Sequence, residues 1–173
     1  MIIPVVRVTK ISAAERQLKE AIKLFFEERD PVAIHTLTGA AYQILYDLGR
    51  KQGTESLLRD SEWIREERKK EWNQILNSAR NFFKHANRDS KKELEFRQEF
   101  NSFLLFDAIL LYESISKKKT NEGRIFISWF TLKHTDLFIN NEQIRHARQI
   151  LASGFDPNDF ETIRLALNKM ESC

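Results

Sequence analysis

Asp30-Pro31-Val32-Ala33-Ile34-His35-Thr36-Leu37-Thr38-Gly39-Ala40-Ala41-Tyr42-Gln43-Ile44-Leu45-Tyr46-Asp47-Leu48-Gly49 reads as one helix with its own start and stop. Asp accepts amide hydrogen bonds at an N-cap, and Pro is preset for the first helical position. Ile34, Leu37, Ala41, Ile44, Leu45 and Leu48 then recur at helical spacing, and the stretch from Gly49 to Gly53 ends the run. The same grammar extends in both directions. Upstream, Ser12-Ala13-Ala14-Glu15 has the form of a capping box, followed by Leu18, Ile22, Phe25 and Phe26 on a helix to about Glu28. Downstream, residues 54–85 keep a helical pattern broken near Asp60-Ser61, with Trp63, Trp72, Ile75, Leu76, Ala79, Phe82 and Phe83 as the inward set.

Ala86 to Ser90 is polar and reads as a turn. Leu94, Phe96, Phe100, Phe103, Leu104, Leu111 and Ile115 then predict a long helix ending at Lys117-Lys118-Lys119, whose charges complement the helix dipole. Asn121 to Gly123 is a turn, and Arg124 to Phe130 is assigned helix, although its β-branched and aromatic residues would equally suit a strand. Asn140-Asn141 opens a helix through Leu151 that Gly154 closes, and Asp156-Pro157 leads into a last helix from Asn158 to Met170. The expected fold is all-α, an irregular bundle of roughly six to eight helices without internal repeats or flexible linkers. It is expected to form a single helical domain over residues 1–173, with residues 1–10 an arm for which strand, dimer arm and disorder all remain open.

Composition agrees with that class. Thirteen Phe and three Trp against five Gly and three Pro suit long packed elements with few tight turns. With 42% apolar and 31% charged residues, the chain has enough apolar surface to build a core. A net charge of +3 permits an RNA partner without requiring one. The single cysteine, Cys173, rules out an internal disulfide and a thiolate zinc site. The apolar start Met1-Ile2-Ile3-Pro4-Val5-Val6-Arg7-Val8 is shorter than the roughly 20 residues of a spanning helix and lacks the pattern of a secretion signal. Phe103 to Tyr112 carries Asp107 in its middle, as a buried core helix does and a membrane span does not. The reading is a cytoplasmic protein without a membrane partner.

One segment carries chemistry: Arg80-Asn81-Phe82-Phe83-Lys84-His85. At about 100° per residue, Asn77, Arg80, Asn81, Lys84 and His85 fall in one arc of about 140°, with Ile75, Leu76, Ala79, Phe82 and Phe83 opposite. Transesterification of RNA needs a proton removed from a 2′-hydroxyl and the charge on the phosphoryl oxygens stabilised. Histidine titrates near neutrality, and arginine offers a permanently charged fork shaped for phosphate. Asn81, one turn before His85, is placed to orient the ring or bind substrate. Asn77, Lys84 and Arg88 are candidate substrate contacts. Arg65, Arg68, Lys69, Lys70, Lys91 and Lys92 flank the segment, diluted by Glu66, Glu67, Glu71, Glu93 and Glu95.

An Arg followed four to six residues later by His, with a polar residue after the Arg, resembles the nuclease motif of the HEPN superfamily. The resemblance implies a metal-independent endoribonuclease in which two copies of the helix meet across a homodimer. It implies catalytic Arg80, His85 and Asn81, and products ending in a 2′,3′-cyclic phosphate and a 5′-hydroxyl. It also implies a toxin or antiphage setting, with RNA as substrate and an antitoxin or regulatory protein as a further partner. Many HEPN-like domains are non-catalytic modules that bind a nucleotide, nucleic acid or protein, and that alternative stands beside the first. Arg29 to His35 also matches the spacing, but Asp30-Pro31 splits it across a loop and a helix start.

The remaining polar residues have structural expectations. His35, beside Thr38, Gly39 and Tyr42, reads as a hydrogen-bonded core or interface histidine. His134 and His146 read as exposed, and no metal or cofactor is expected. Asp47 and Asp107 interrupt apolar stretches and must capture a Tyr, Trp or Arg inside the bundle. Trp63 and Trp72 read as core anchors.

Overall fold

The order of elements follows from where apolar stripes and caps coincide. The computed structural model describes residues 3, 5–62, 64–87 and 90–171, and among them it contains seven α-helices and no strand. They are α1 (Lys10–Phe26), α2 (Pro31–Arg50), α3 (Glu66–Lys84), α4 (Phe100–Ser116), α5 (Asn121–Lys133), α6 (Glu142–Ala152) and α7 (Phe160–Glu171). A single 3₁₀ turn, Thr135–Leu137, follows α5.

The α1–α2 pair is the frame on which α4 lies. Asp30 Oδ1 accepts the amides of Val32 at 3.0 Å and Ala33 at 2.9 Å, so α2 starts where the Asp-Pro signal places it. The α1 cap lies one residue triplet earlier than Ser12. Thr9 is the N-cap and accepts the Ser12 amide, while the Ser12 hydroxyl accepts the Thr9 amide, the same reciprocal device built on an upstream Thr. Glu15 is thereby released to accept the Tyr112 hydroxyl at 2.7 Å. α1 ends at Phe26, and Glu28 turns the chain with a left-handed φ of 54°.

α4 is apolar nearly all round because it is covered by α1, α2 and α5. The core joins Leu18, Ile22 and Phe26 to Ala41, Leu45, Leu105, Leu111, Phe126 and Phe130. Its aromatic end is an edge-to-face cluster, with Phe26 and Trp129 centroids 5.4 Å apart at 89° and Phe25 5.0 Å from Trp129. Residues 124–130 are helical, because Thr120 caps the Gly123 amide and Phe126, Trp129 and Phe130 are all buried at helical spacing. α7 packs on α1 and α5, and α6 packs on α5. Among the described residues no helix is long and apolar enough to cross a membrane.

The middle of the chain departs from the expected pattern. Residues 54–62 and 64–65 are turns, bends and irregular chain, so the helix expected from Thr54 begins only at Glu66. Residues 92–97 have no regular structure, so Leu94 and Phe96 lie outside the α4 helix. α3 contributes no residue to the main core, and Leu76 is its one buried residue. Ile75, expected inward, is 57% exposed. The helix is rotated so that residues 72, 76, 80 and 83 face α2, because its polar side chains find partners there. Ile3 and Val5 to Val8 are exposed and irregular, while Met1, Ile2, Pro4 and Trp63 lie outside the described residues.

Phe126→Ala is expected to cost about 3–5 kcal/mol in urea denaturation, whereas Ile75→Ala costs less than about 0.5 kcal/mol. Equal losses would contradict this assignment of the core.

Candidate functional site

Asp107, on α4, is fully buried and is satisfied by four donors. Its Oδ2 accepts from Ser56 Oγ at 2.7 Å, Tyr42 Oη at 3.1 Å and the Leu58 amide at 3.1 Å, and its Oδ1 accepts the Leu57 amide at 3.0 Å. Capture of a tyrosine is as expected; capture of two backbone amides is what sequence reasoning missed. Those amides are pulled out of helical register, which is why residues 54–62 are not helix. Burial, then the charge of Asp107, pushes the Tyr42 phenol above its ordinary range, so it stays a donor. Asp47 does not share this role. It is exposed and accepts from Gln43 Nε2 at 2.8 Å.

The loop so anchored delivers Arg59, which is 8% exposed. Its guanidinium lies over the rings of Tyr46 and Tyr42, 4.5 and 5.1 Å from their centroids, and donates to Asn77 Oδ1 at 2.6 Å and weakly to Gln43 Oε1 at 3.4 Å. Leu58 in the same loop accepts Trp72 Nε1 at 2.6 Å. Trp72 therefore ties α3 to the loop and does not anchor the core.

Arg80 meets this group from α3. Its stem lies across Gly39, where an added Cβ would sit 3.4 Å from Arg80 Cγ and Cδ, and its Nη1 donates to Gln43 Oε1. Two guanidiniums thus converge on one neutral amide oxygen. Burial, then the charge of Arg59, works against the Arg80 cation. Asp60 accepts the Tyr46 hydroxyl and the Ser56 amide, so none of Asp47, Asp60 and Asp107 forms an ion pair with either arginine.

His35 closes the inner side. Asn101 Nδ2 donates to the Pro31 carbonyl at 2.9 Å, so its Oδ1 accepts from His35 Nδ1 at 2.9 Å. In the neutral ring Nε2 is then a bare acceptor, and it is buried without a partner, as is Arg59 Nε. His35 and Arg59 line one gap of about 10 Å³ shared with Asn77 and Arg80. The rings of Phe83 and Phe96 stand edge-on to His35 at 5.7 and 5.0 Å, which holds the end of α3 and the 92–97 segment together. His35 is thus the hydrogen-bonded core histidine expected.

The expected outward arc divides. Asn77 and Arg80 turn toward α2, while Asn81, Lys84 and His85 are exposed. His85 is the C-cap, with φ −134° and ψ 124°, and its amide bonds Asn81 O at 3.1 Å. Its backbone has left the helix. Arg88 lies outside the described residues. His146 is exposed as expected, but His134 is half-buried against Phe130 and Phe103, with ring centroids 4.5 and 5.2 Å away.

Comparison with protein families, curated proteins and solved structures finds no match to this chain. The site must be read from its own chemistry. Gln43 and Arg59 are the members sequence reasoning missed, since no spacing rule connects either to Arg80.

Burial lowers the His35 pKa, a trend that the nearby Arg80 charge reinforces and the Asn101 bond opposes. The unfolded state then binds the proton more readily, so stability is full above about pH 6.5 and falls as the pH drops below it. His35→Gln is expected to flatten this loss in urea denaturation between about pH 7 and 5. An unchanged pH slope would contradict the assignment.

Proposed function

We propose that this chain is a HEPN-like endoribonuclease acting as a homodimer on RNA, without a metal. The observation that carries the reading is the end of α3. His85, Asn81 and Lys84 are exposed there, within about a turn and a half of Arg80, a half-buried guanidinium whose one hydrogen bond is to the neutral Gln43. His85 accepts the proton of a 2′-hydroxyl as that oxygen attacks the adjacent phosphorus. Arg80 stabilises the phosphoryl charge, and the 5′-oxygen leaves with a proton from the second copy's His85, held as imidazolium, giving a 2′,3′-cyclic phosphate and a 5′-hydroxyl. Asn81 and Lys84 assist, and Arg88 remains a candidate backbone contact. Asn77 is engaged by Arg59, so it supports the site from behind. The dimer would bring a second α3 against the exposed Asn81, Lys84 and His85 end of the first, pairing two Arg and two His. A cytoplasmic toxin or antiphage role, held in check by an antitoxin or regulatory protein, completes this reading.

A second reading is favoured by one observation: Arg80 packs on Gly39 and bonds Gln43 within its own chain. On that reading the chain is a non-catalytic helical module binding a nucleotide, nucleic acid or protein, with Arg80 structural.

Purified protein is expected to cleave single-stranded RNA in EDTA and to leave cyclic-phosphate termini. His85→Ala should reduce the rate by about 10²-fold or more with an unchanged melting temperature, since His85 is exposed. Arg80→Gln should reduce the rate and also destabilise. Cleavage undiminished in both variants would sink the assignment, and wild type that leaves RNA intact favours the second reading.

A further inference from the structure

We infer that Arg59 and Arg80, meeting on the amide oxygen of Gln43, form a two-arginine cradle for one phosphate group. The inference rests on the phosphate role proposed for Arg80 and adds Arg59, a residue outside the Arg80–His85 segment.

The hydrogen-bond network is sorted by charge. Asp107 takes Tyr42, Ser56 and two backbone amides; Asp60 takes Tyr46 and the Ser56 amide; Asp47 takes the Gln43 amide group. Each of these carboxylates is hydrogen-bonded by neutral donors, and Asp47 reaches Arg80 through its charge alone. Both arginines are left with neutral acceptors only, Gln43 for each and Asn77 for Arg59. A guanidinium carries five N–H donors, so these bonds leave most of that capacity unused. Buried charges are ordinarily paired, and Glu in place of Gln43 would put a carboxylate between these two cations.

Burial supplies the second observation. Arg59 is held 92% inside by the Tyr42 and Tyr46 rings, and its Nε is buried without a partner. Arg80 is half-buried in front of it. The gap between them, about 10 Å³, has room for about one water, so the anion is taken on the solvent side of Arg80, with Arg59 adding its charge from behind. A phosphate oxygen there accepts a charge-assisted bond from Arg80, in place of that side chain's neutral contact with Gln43. His85 caps the exposed end of the same helix, five residues after Arg80.

The test is binding of inorganic phosphate to the full-length chain by calorimetry against matched chloride, with wild type, Arg59→Gln and Gln43→Glu. Wild type should bind saturably, and both variants should bind on the order of tenfold or more weakly while keeping wild-type circular dichroism. Gln43→Glu keeps both arginines and supplies an internal anion, so it tests the site even if Arg59→Gln fails to fold. A hexaribonucleotide without terminal phosphates is titrated in parallel. Binding of both ligands identifies a backbone phosphodiester as the source, binding of phosphate alone identifies a terminal or free phosphate, and either supports the cradle. No saturable binding, or equal binding in Gln43→Glu and wild type, overturns it. If phosphate binding is lost in Gln43→Glu while wild type cuts no RNA, the cradle stands and the ribonuclease reading falls. If wild type cuts RNA and Gln43→Glu cuts it equally well, the cradle falls and the ribonuclease reading stands.

Discussion

A carboxylate buried in an apolar bundle must be satisfied, and the way Asp107 is satisfied determines the geometry of everything around it. An unmet buried polar group costs about 1–3 kcal/mol, more when charged. Asp107 meets that demand with one side chain from α2 and three groups from the segment after it, Ser56 Oγ and the Leu57 and Leu58 amides. Those bonds fix a turn-rich loop over α2 where a helix was expected. The same loop then presents the Leu58 carbonyl to Trp72 and the Arg59 guanidinium to Asn77, and these two contacts set the rotation of α3.

The consequence is a molecule with two kinds of interior. α1, α2, α4, α5 and α7 share an apolar and aromatic core. α3 stands apart from it, joined to α2 and the loop through a polar layer of Gln43, Arg59, Asn77 and Arg80 together with the Phe83–His35–Phe96 rings. A helix docked by polar contacts and one buried leucine belongs to the low-stability end of a structure, where binding elements that must adjust are drawn from. The chemistry proposed for Arg80 and His85 therefore sits on an element outside the main core and tied through its loop to Asp107.

The frame was legible because caps and apolar periodicity agreed. Asp30-Pro31 and the stripe from Ile34 to Leu48 place α2, and the residues around Phe126, Trp129 and Phe130 resolve as helix once both faces are covered. His35 and Asp107 were legible as buried polar residues needing partners, though the partners were not. Two of the failures share one cause. Residues 54–62 and 92–97 carry helical-looking patterns, but long-range hydrogen bonds and ring contacts outweigh local propensity there. The arc from Asn77 to His85 assumed that polar side chains face water. In the fold, Asn77 and Arg80 pair inward and His85 steps off the helix, leaving only Asn81, Lys84 and His85 outside.

The most direct test of Asp107 as the organising residue is amide hydrogen exchange on the Asp107→Asn variant. An Asn of the same shape must turn its NH₂ toward at least one of the donors now bound, leaving that donor unpaired. The account predicts that protection falls first and most at Leu57, Leu58 and Arg59 and through α3, while α1, α4 and α5 keep theirs. Uniform loss across all helices, or unchanged protection in α3, would contradict it.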